Sequence, residues 1–156
     1  MYKEKLFDYY IFMDYSENLI GYIIIKFEKI SELIKKTSKL KHYARVKYKK
    51  EYLRAMKKLF ERDELLSYLE KHSVKELRQN IEACSEIFDF CDKNPISRIF
   101  ISIDDRQYHG FMRIAEKFDG NRFTIVKEGK LKKGSKEYQL NLIIDTLLNL
   151  KRTRSR

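Results

Sequence analysis

Asp145 occupies a position where a carboxylate is costly unless something inside the fold binds it. It lies in the middle of residues 134–150, GSKEYQLNLIIDTLLNL, a segment that is apolar on nearly every side when it is drawn as a helix. At 100° per residue, Asn141, Asp145 and Asn149 form one narrow polar strip. A lone carboxylate that faces a packed core costs several kcal/mol or takes up a proton. The pattern therefore indicates that Asp145 has partners of a particular chemistry.

Two further aspartates are the candidate partners. Asp14 ends a run of aromatic and β-branched residues, and Asp104, with Asp105 beside it, ends a run of alternating apolar residues. In an open α/β sheet, binding sites gather at the carboxyl ends of the strands. Clustered carboxylates repel one another unless a cation lies between them, and oxygen ligands suit Mg²⁺ or Mn²⁺. The sequence thus predicts a divalent metal site made by Asp14, Asp104 and Asp145.

Each of these residues also has a purely structural interpretation. An Asp that follows a strand is common in turns, because its side chain bonds nearby backbone amides. Asp145 would equally suit a solvent-facing strip if its two Asn neighbours were exposed. Glu17, Asp105 and Glu128 are reserve metal ligands, although Glu128 also fits as a charged residue that enters a loop.

The predicted elements form an α/β fold, a mixed sheet flanked by helices. The first two strands are too apolar to have one wet face, so we expect helices to cover the sheet. The final strand, helix, strand and helix imply parallel strands. Residues from about 30 to 93 form a predicted helical, basic insertion, in which Ser73 and Glu76 make a helix capping box. The whole chain, 1–156, is predicted to be one domain. The predicted strands cover residues 6–14, 19–27, 97–105 and 122–129, and the predicted late helices cover 106–120 and 134–150.

Positive charge is concentrated in residues 35–62, which we call the basic segment. It holds twelve Lys and Arg against two Glu, a net charge of +10, whereas the whole chain carries +11. Such a segment neutralises phosphates, and its tyrosines, Tyr43, Tyr48 and Tyr52, can stack on unpaired bases. A solvated helix face is the alternative interpretation. A membrane surface is a weaker one, because large apolar residues are few near the start of the segment. The predicted nucleic-acid contacts are Lys35, Lys36, Arg45, Lys47, Lys49, Lys50, Arg54, Lys130, Lys132 and Lys133.

Composition sets the expected compartment. No run of 18 apolar residues is present, and the start, MYKEKLFDYY, lacks the apolar run of a signal peptide, so we expect a cytoplasmic protein. Cys84 and Cys91 are two helical turns apart, too far for a disulfide, and are predicted to be buried thiols. The abundance of Lys, Glu and Ile suggests a thermophile.

The arrangement of the three aspartates resembles the ribonuclease H-like superfamily. There, an Asp on the first strand, an Asp at a later strand end and an Asp on a late helix bind divalent metals together. The two ends of this chain also resemble an uncharacterised branch of that superfamily. Its opening Asp-Glu-Ser-Gly is matched by Asp14-Tyr15-Ser16-Glu17, and its closing Ser…Gln-Leu…Asp helix by Ser135, Gln139, Leu140 and Asp145. Tyr15 replaces the Glu, and no Gly follows Ser16.

The resemblance implies metal-dependent cleavage of phosphodiesters or strand transfer, in which Asp14, Asp104 and Asp145 hold Mg²⁺ or Mn²⁺. Two other functions stay open from the sequence. One is a nucleic-acid-binding module without chemistry, and the other is an assembly protein that binds an acidic partner. A requirement for divalent metal separates cleavage from binding alone, because the affinity of a binding module mainly depends on salt concentration.

Overall fold

The computed structural model describes residues 7–62, 65–94, 97–102, 105–117, 123–127 and 131–154. The strands are β1 (Tyr9–Ser16), β2 (Leu19–Lys26), β3 (Lys71–Glu76), β4 (Ser97–Ser102) and β5 (Phe123–Lys127). The helices are α1 (Ile30–Lys36), α2 (Lys49–Arg62), α3 (Asn80–Lys93), α4 (Asp105–Ala115) and α5 (Lys136–Arg154).

The strands form one mixed sheet in the order β3-β2-β1-β4-β5. β1 pairs antiparallel with β2, which pairs antiparallel with β3, whereas β1, β4 and β5 run parallel. The predicted hairpin at the front and the predicted parallel unit at the back are therefore confirmed, as is the α/β class. A turn at 17–18 closes the hairpin, where Glu17 adopts a positive φ of 50°.

Helices cover both faces of the sheet, because both faces are apolar. One hydrophobic core joins Phe12, Ile23 and Phe100 of the sheet to α1, α2 and α5. The other joins Met13 and Tyr22 to α3 and α4. Strand alternation explains the division, since successive side chains of a strand point to opposite faces. The long apolar runs of β1 and β2 supply both cores.

The predicted helical insertion at about 30–93 needs one correction, because the structure places β3 within it. Ser73 lies inside this strand, so it caps no helix. The capping box is instead made by Glu76 and Gln79, immediately before α3. β3 was missed because it is an edge strand of sequence KHSVKE, partly exposed along its length and without alternating apolar residues.

Cys84 and Cys91 are free and buried on α3, as predicted. Burial raises the pKa of each thiol to about 12, so both are protonated and unreactive at neutral pH. Among the described residues, no helix has the length and apolar character needed to span a membrane.

Gly21 of β2 allows α5 to approach the sheet closely. A Cβ atom at this position would lie 2.8 Å from Ile144 Cδ1, 3.0 Å from Leu148 Cδ2 and 3.2 Å from the Ser73 carbonyl oxygen. Any side chain would therefore push α5 away from β1 and β2.

We predict that Gly21→Ala lowers the free energy of unfolding by about 1–3 kcal/mol, the usual effect of overpacking a core. The measurement is the urea midpoint with its slope. Gly110→Ala on α4 is the matched control, since a Cβ there meets no described atom within 4 Å. This change should leave stability equal or raise it by about 0.5–1 kcal/mol, because Gly is a poor helix former. Equal effects of the two changes would contradict the close approach of α5.

Candidate functional site

Asp14 lies under α5 rather than at the end of its strand. β1 continues for two residues beyond it, to Ser16, and Asp14 pairs laterally with Gly21 and Ser102. Its side chain belongs to the same face as Phe12, the face that α5 covers. Asp14 is only 8% exposed, and its Oδ1 accepts a hydrogen bond from the Tyr15 N–H at 2.7 Å. The carboxylate is thus held at the interface between β1 and α5.

Asp145 is likewise 8% exposed, which excludes the solvent-facing interpretation of its strip. Its neighbours on the strip, Asn141 and Asn149, are also buried. Asp145 directly follows Ile144, which contacts Gly21, the lateral partner of Asp14. Asp14 and Asp145 therefore lie on two elements that pack against each other, β1 and α5.

The basic segment is bound to Asp145. The backbone N–H of Tyr43 donates a hydrogen bond to Asp145 Oδ2 at 2.9 Å. A hydrogen bond to a charged group contributes about 1.5–3 kcal/mol, more than a neutral one. Asp145 therefore has a structural task as well as the predicted chemical one, because it fixes the segment that carries most of the positive charge.

Tyr43 and Arg152 close this end of the site. The Arg152 guanidinium lies 5.1 Å from the centre of the Tyr43 ring, and the Lys49 ammonium lies 5.5 Å from it. Arg152 Nη1 is also 3.4 Å from Ser16 Oγ and 3.3 Å from Glu17 Oε1. Arg152 thus connects the last helix to both the basic segment and the β1–β2 turn.

Tyr52 of α2 holds Lys41, which lies two residues before Tyr43 in the basic segment. Its Oη accepts a hydrogen bond from the Lys41 N–H at 2.8 Å and donates one to the Lys41 carbonyl at 3.0 Å. Burial raises the pKa of Tyr52, bonds to Lys41 and Thr146 lower it, and the charge of Asp145 raises it. Tyr52 is therefore a positioning residue, whereas the predicted role in base stacking fits Tyr48, which is 66% exposed.

Most of the predicted nucleic-acid contacts lie on the surface. Within the basic segment Lys36 is half-buried, with its ammonium 5.2 Å from the Tyr68 ring centre, and the other predicted contacts are exposed. α2 buries Leu53, Met56 and Phe60 and turns its basic residues to solvent. Lys132 and Lys133 are exposed too, whereas Lys130 lies outside the described residues.

The predicted metal site is only partly within the described chain. Asp104 and Glu128 lie outside it, and Asp105 begins α4 without a described side chain. Glu17 is part of the β1–β2 turn and pairs with Arg152. Within the described ranges, no group of three or more His, Cys, Asp or Glu side chains is arranged to hold a metal ion. Asp14 and Asp145 offer two carboxylates, a donor type that suits Mg²⁺ or Mn²⁺.

Arg152 was not among the site residues predicted from the sequence. A signal was present, because Arg152 is seven residues after Asp145 and so lies within about 20° of it on a helical wheel. The polar strip of α5 therefore extends from Asn141 to a cation at its end. The anchoring role of Tyr43 had no such signal, since its backbone N–H forms the bond.

Among solved structures, the PCNA:RNase HII complex from Archaeoglobus fulgidus is similar over nearly the whole chain, with a TM-score of 0.50 and 12% sequence identity. The match covers 94% of this chain and 72% of that one. The chain has a ribonuclease H-like fold. This confirms the fold predicted from the three aspartates, and at this identity the likeness concerns the fold alone. No protein-family model and no curated protein matches the sequence.

We predict that Tyr52→Phe loosens residues 41–45, because it removes the hydroxyl that binds both polar backbone groups of Lys41. Trypsin cleavage after Lys41 and Arg45 in the native protein should become about five to ten times faster, the equivalent of about 1 kcal/mol for one hydrogen bond. Cleavage rates are compared by mass spectrometry. Tyr48→Phe is the control, since Tyr48 is largely exposed. An equal acceleration of cleavage in this variant would show that the Tyr52 hydroxyl does not hold residues 41–45 in place.

Proposed function

We propose that the protein acts on nucleic acid, and that it cleaves phosphodiester bonds with the help of Mg²⁺ or Mn²⁺. One observation carries the proposal. In a ribonuclease H-like fold, two buried carboxylates, Asp14 and Asp145, lie on β1 and α5, which pack against each other, and the basic segment is hydrogen-bonded to Asp145. Charge that attracts phosphate and charge that suits a metal therefore lie side by side.

The basic segment would bind the phosphate backbone. Its exposed Lys and Arg neutralise phosphates and release counterions, which gives affinity without sequence preference. The hydrogen bonds of Tyr43 and Tyr52 fix the path of residues 41–43 along α5. The bound strand would therefore run past the carboxylates.

Asp14 and Asp145, together with Asp104, would hold the metal. Carboxylate oxygens are the ligands that Mg²⁺ and Mn²⁺ prefer, and both described aspartates are shielded from bulk water. These residues would hold a metal that supplies Lewis-acid activation of a water and stabilisation of the leaving oxygen of a phosphodiester. Arg152, fixed by Ser16 and Glu17 at the end of the strip, adds positive charge for the phosphate.

We expect the purified chain to cleave at least one of single-stranded RNA, duplex RNA, DNA or RNA–DNA hybrid with Mn²⁺, and none with EDTA. Asp14→Asn and Asp145→Asn should each lower the rate by at least about 100-fold, a usual loss when one transition-state interaction is removed. The readout is gel analysis of end-labelled strands.

Asp145→Asn separates the chemical task from the structural one, because the amide oxygen can still accept the Tyr43 N–H. Asp92→Asn on α3 is the matched control, since Asp92 is exposed on the opposite face of the sheet. All variants should keep the thermal midpoint of the parent within a few degrees. Full cleavage by both site variants would exclude the metal-dependent site.

A second candidate function is a binding module without chemistry. The observation that favours it is the bond from Tyr43 to Asp145, because a carboxylate that anchors a backbone has a reason to be buried apart from catalysis. In that case the chain would bind nucleic acid equally well with and without divalent metal, and none of the substrates would be cleaved.

We predict that the basic segment determines the salt dependence of binding in either case. Lys47→Gln, Lys50→Gln and Arg54→Gln together should lower the slope of log affinity against log salt by about 2 for a single strand, at about 0.7 per phosphate contact. Fluorescence anisotropy measures the slope. Lys93→Gln, Lys117→Gln and Arg113→Gln form the matched control, exposed residues of the α3–α4 side. A similar decrease of the salt slope in both triple variants would mean that the total charge of the protein, and not the basic segment, determines the salt dependence.

A further inference from the structure

A cavity of about 360 Å³ lies between the basic segment and the start of α5. Its cations come from two distant parts of the chain, Lys41 and Arg45 from the basic segment and Lys133 from the loop before α5. The segment reaches this position because Tyr52 and Asp145 hold it there, and because Gln139 of α5 donates to the Thr37 carbonyl. The cavity is thus built by tertiary contacts.

The charge of the cavity suits a doubly charged anion. Lys41, Arg45 and Lys133 bring three positive charges, and no acidic residue belongs to the described lining. A phosphodiester within a strand carries one negative charge, whereas a phosphate monoester carries about 1.5–2 near pH 7. Three cations around one cavity therefore favour a terminal phosphate over an internal one.

His42 adds a ring N–H donor to the same lining. Its Nδ1 accepts a hydrogen bond from the Ala44 N–H at 3.3 Å, which leaves Nε2 as the donor. An N–H donor beside three cations matches the three acceptor oxygens of a phosphate monoester.

Apart from Gln139, the rest of the cavity lining is apolar or aromatic. Leu40, Tyr138 and Leu142 line it, and the turn before α5 adds Gly134, whose φ of 89° is a conformation that favours glycine. A lone phosphate is too small to fill such a volume, which is in the range of small-molecule sites. A nucleotide fills both parts, because its base can stack on a tyrosine while its phosphate meets the cations.

We infer that this cavity binds the phosphorylated end of a nucleic-acid strand. The inference rests on the proposed function, since it names the part of the substrate that the protein holds. Leu142 is three residues before Asp145 on α5, roughly 4.5 Å along the helix axis. A strand held by its end would therefore pass the carboxylates within its first nucleotides, and any cleavage would be measured from that end.

The test compares short single strands of one sequence that carry a 5′-phosphate, a 3′-phosphate or only hydroxyl ends. Binding is followed by anisotropy of an internal fluorophore, in EDTA so that no strand is cut. One phosphorylated strand should bind at least about tenfold more tightly than the hydroxyl strand, the effect of one charged hydrogen bond. Replacing Lys41, Arg45 and Lys133 together by Gln should abolish that preference.

The matched control replaces Lys57, Lys58 and Arg62 by Gln, exposed residues of α2 that do not line the cavity. It should weaken the phosphorylated and hydroxyl strands by the same factor and so keep their ratio. A nucleoside monophosphate is added as a competitor. Displacement at the affinity of the strand itself would assign the cavity to free nucleotides and overturn the strand-end inference.

Two further outcomes separate the inference from the proposed function. If all three strands bind with the same affinity, or if the preference survives in the Lys41, Arg45 and Lys133 variant, the cavity is not the end-binding site while nucleic-acid binding stands. If no strand binds at low salt, the proposed function itself fails.

Discussion

The packing of α5 on β1 and β2 is the contact on which the rest of the molecule depends. Because Gly21 has no side chain, the helix approaches until Ile144 and Leu148 pack directly against β2 at this position. α5 then buries most of its middle, residues 140–149, including its polar residues Asn141, Asp145 and Asn149. Because the helix has so little exposed surface, each polar group on it must find a partner inside the protein. That requirement shapes the site.

Asp145 shows how the requirement is met. Its Oδ2 accepts the Tyr43 N–H, so the same carboxylate that suits a metal ligand also anchors the basic segment. Arg152 extends this coupling to the β1–β2 turn through Ser16 and Glu17. The basic segment, Asp145 and the β1–β2 turn are therefore connected through α5, and a displacement of the basic segment changes the surroundings of Asp145 directly.

Sequence pattern predicted the elements that carry the buried core. β1 and β2 are long apolar runs, and α5 is apolar on most sides of a helical wheel. The pattern of apolar residues therefore predicts two strands and a helix. β3 could not be found this way, because its residues at the sheet edge are polar and its stability comes from pairing with β2. The pattern gave no information about backbone partners either, which is why the Tyr43 bond was unforeseen. Asp14 was predicted at the end of its strand, whereas β1 continues for two residues beyond it, to Ser16.

The composition of β3 also bears on how the protein behaves when many copies meet at high concentration. An edge strand has unpaired N–H and C=O groups that invite another strand. β3 has exposed Lys71 and His72 along that edge, with the partly exposed Lys75 beyond them. Charged side chains along an edge strand, Lys above all, disfavour the addition of another strand. The sheet is therefore protected from growing by strand addition between copies.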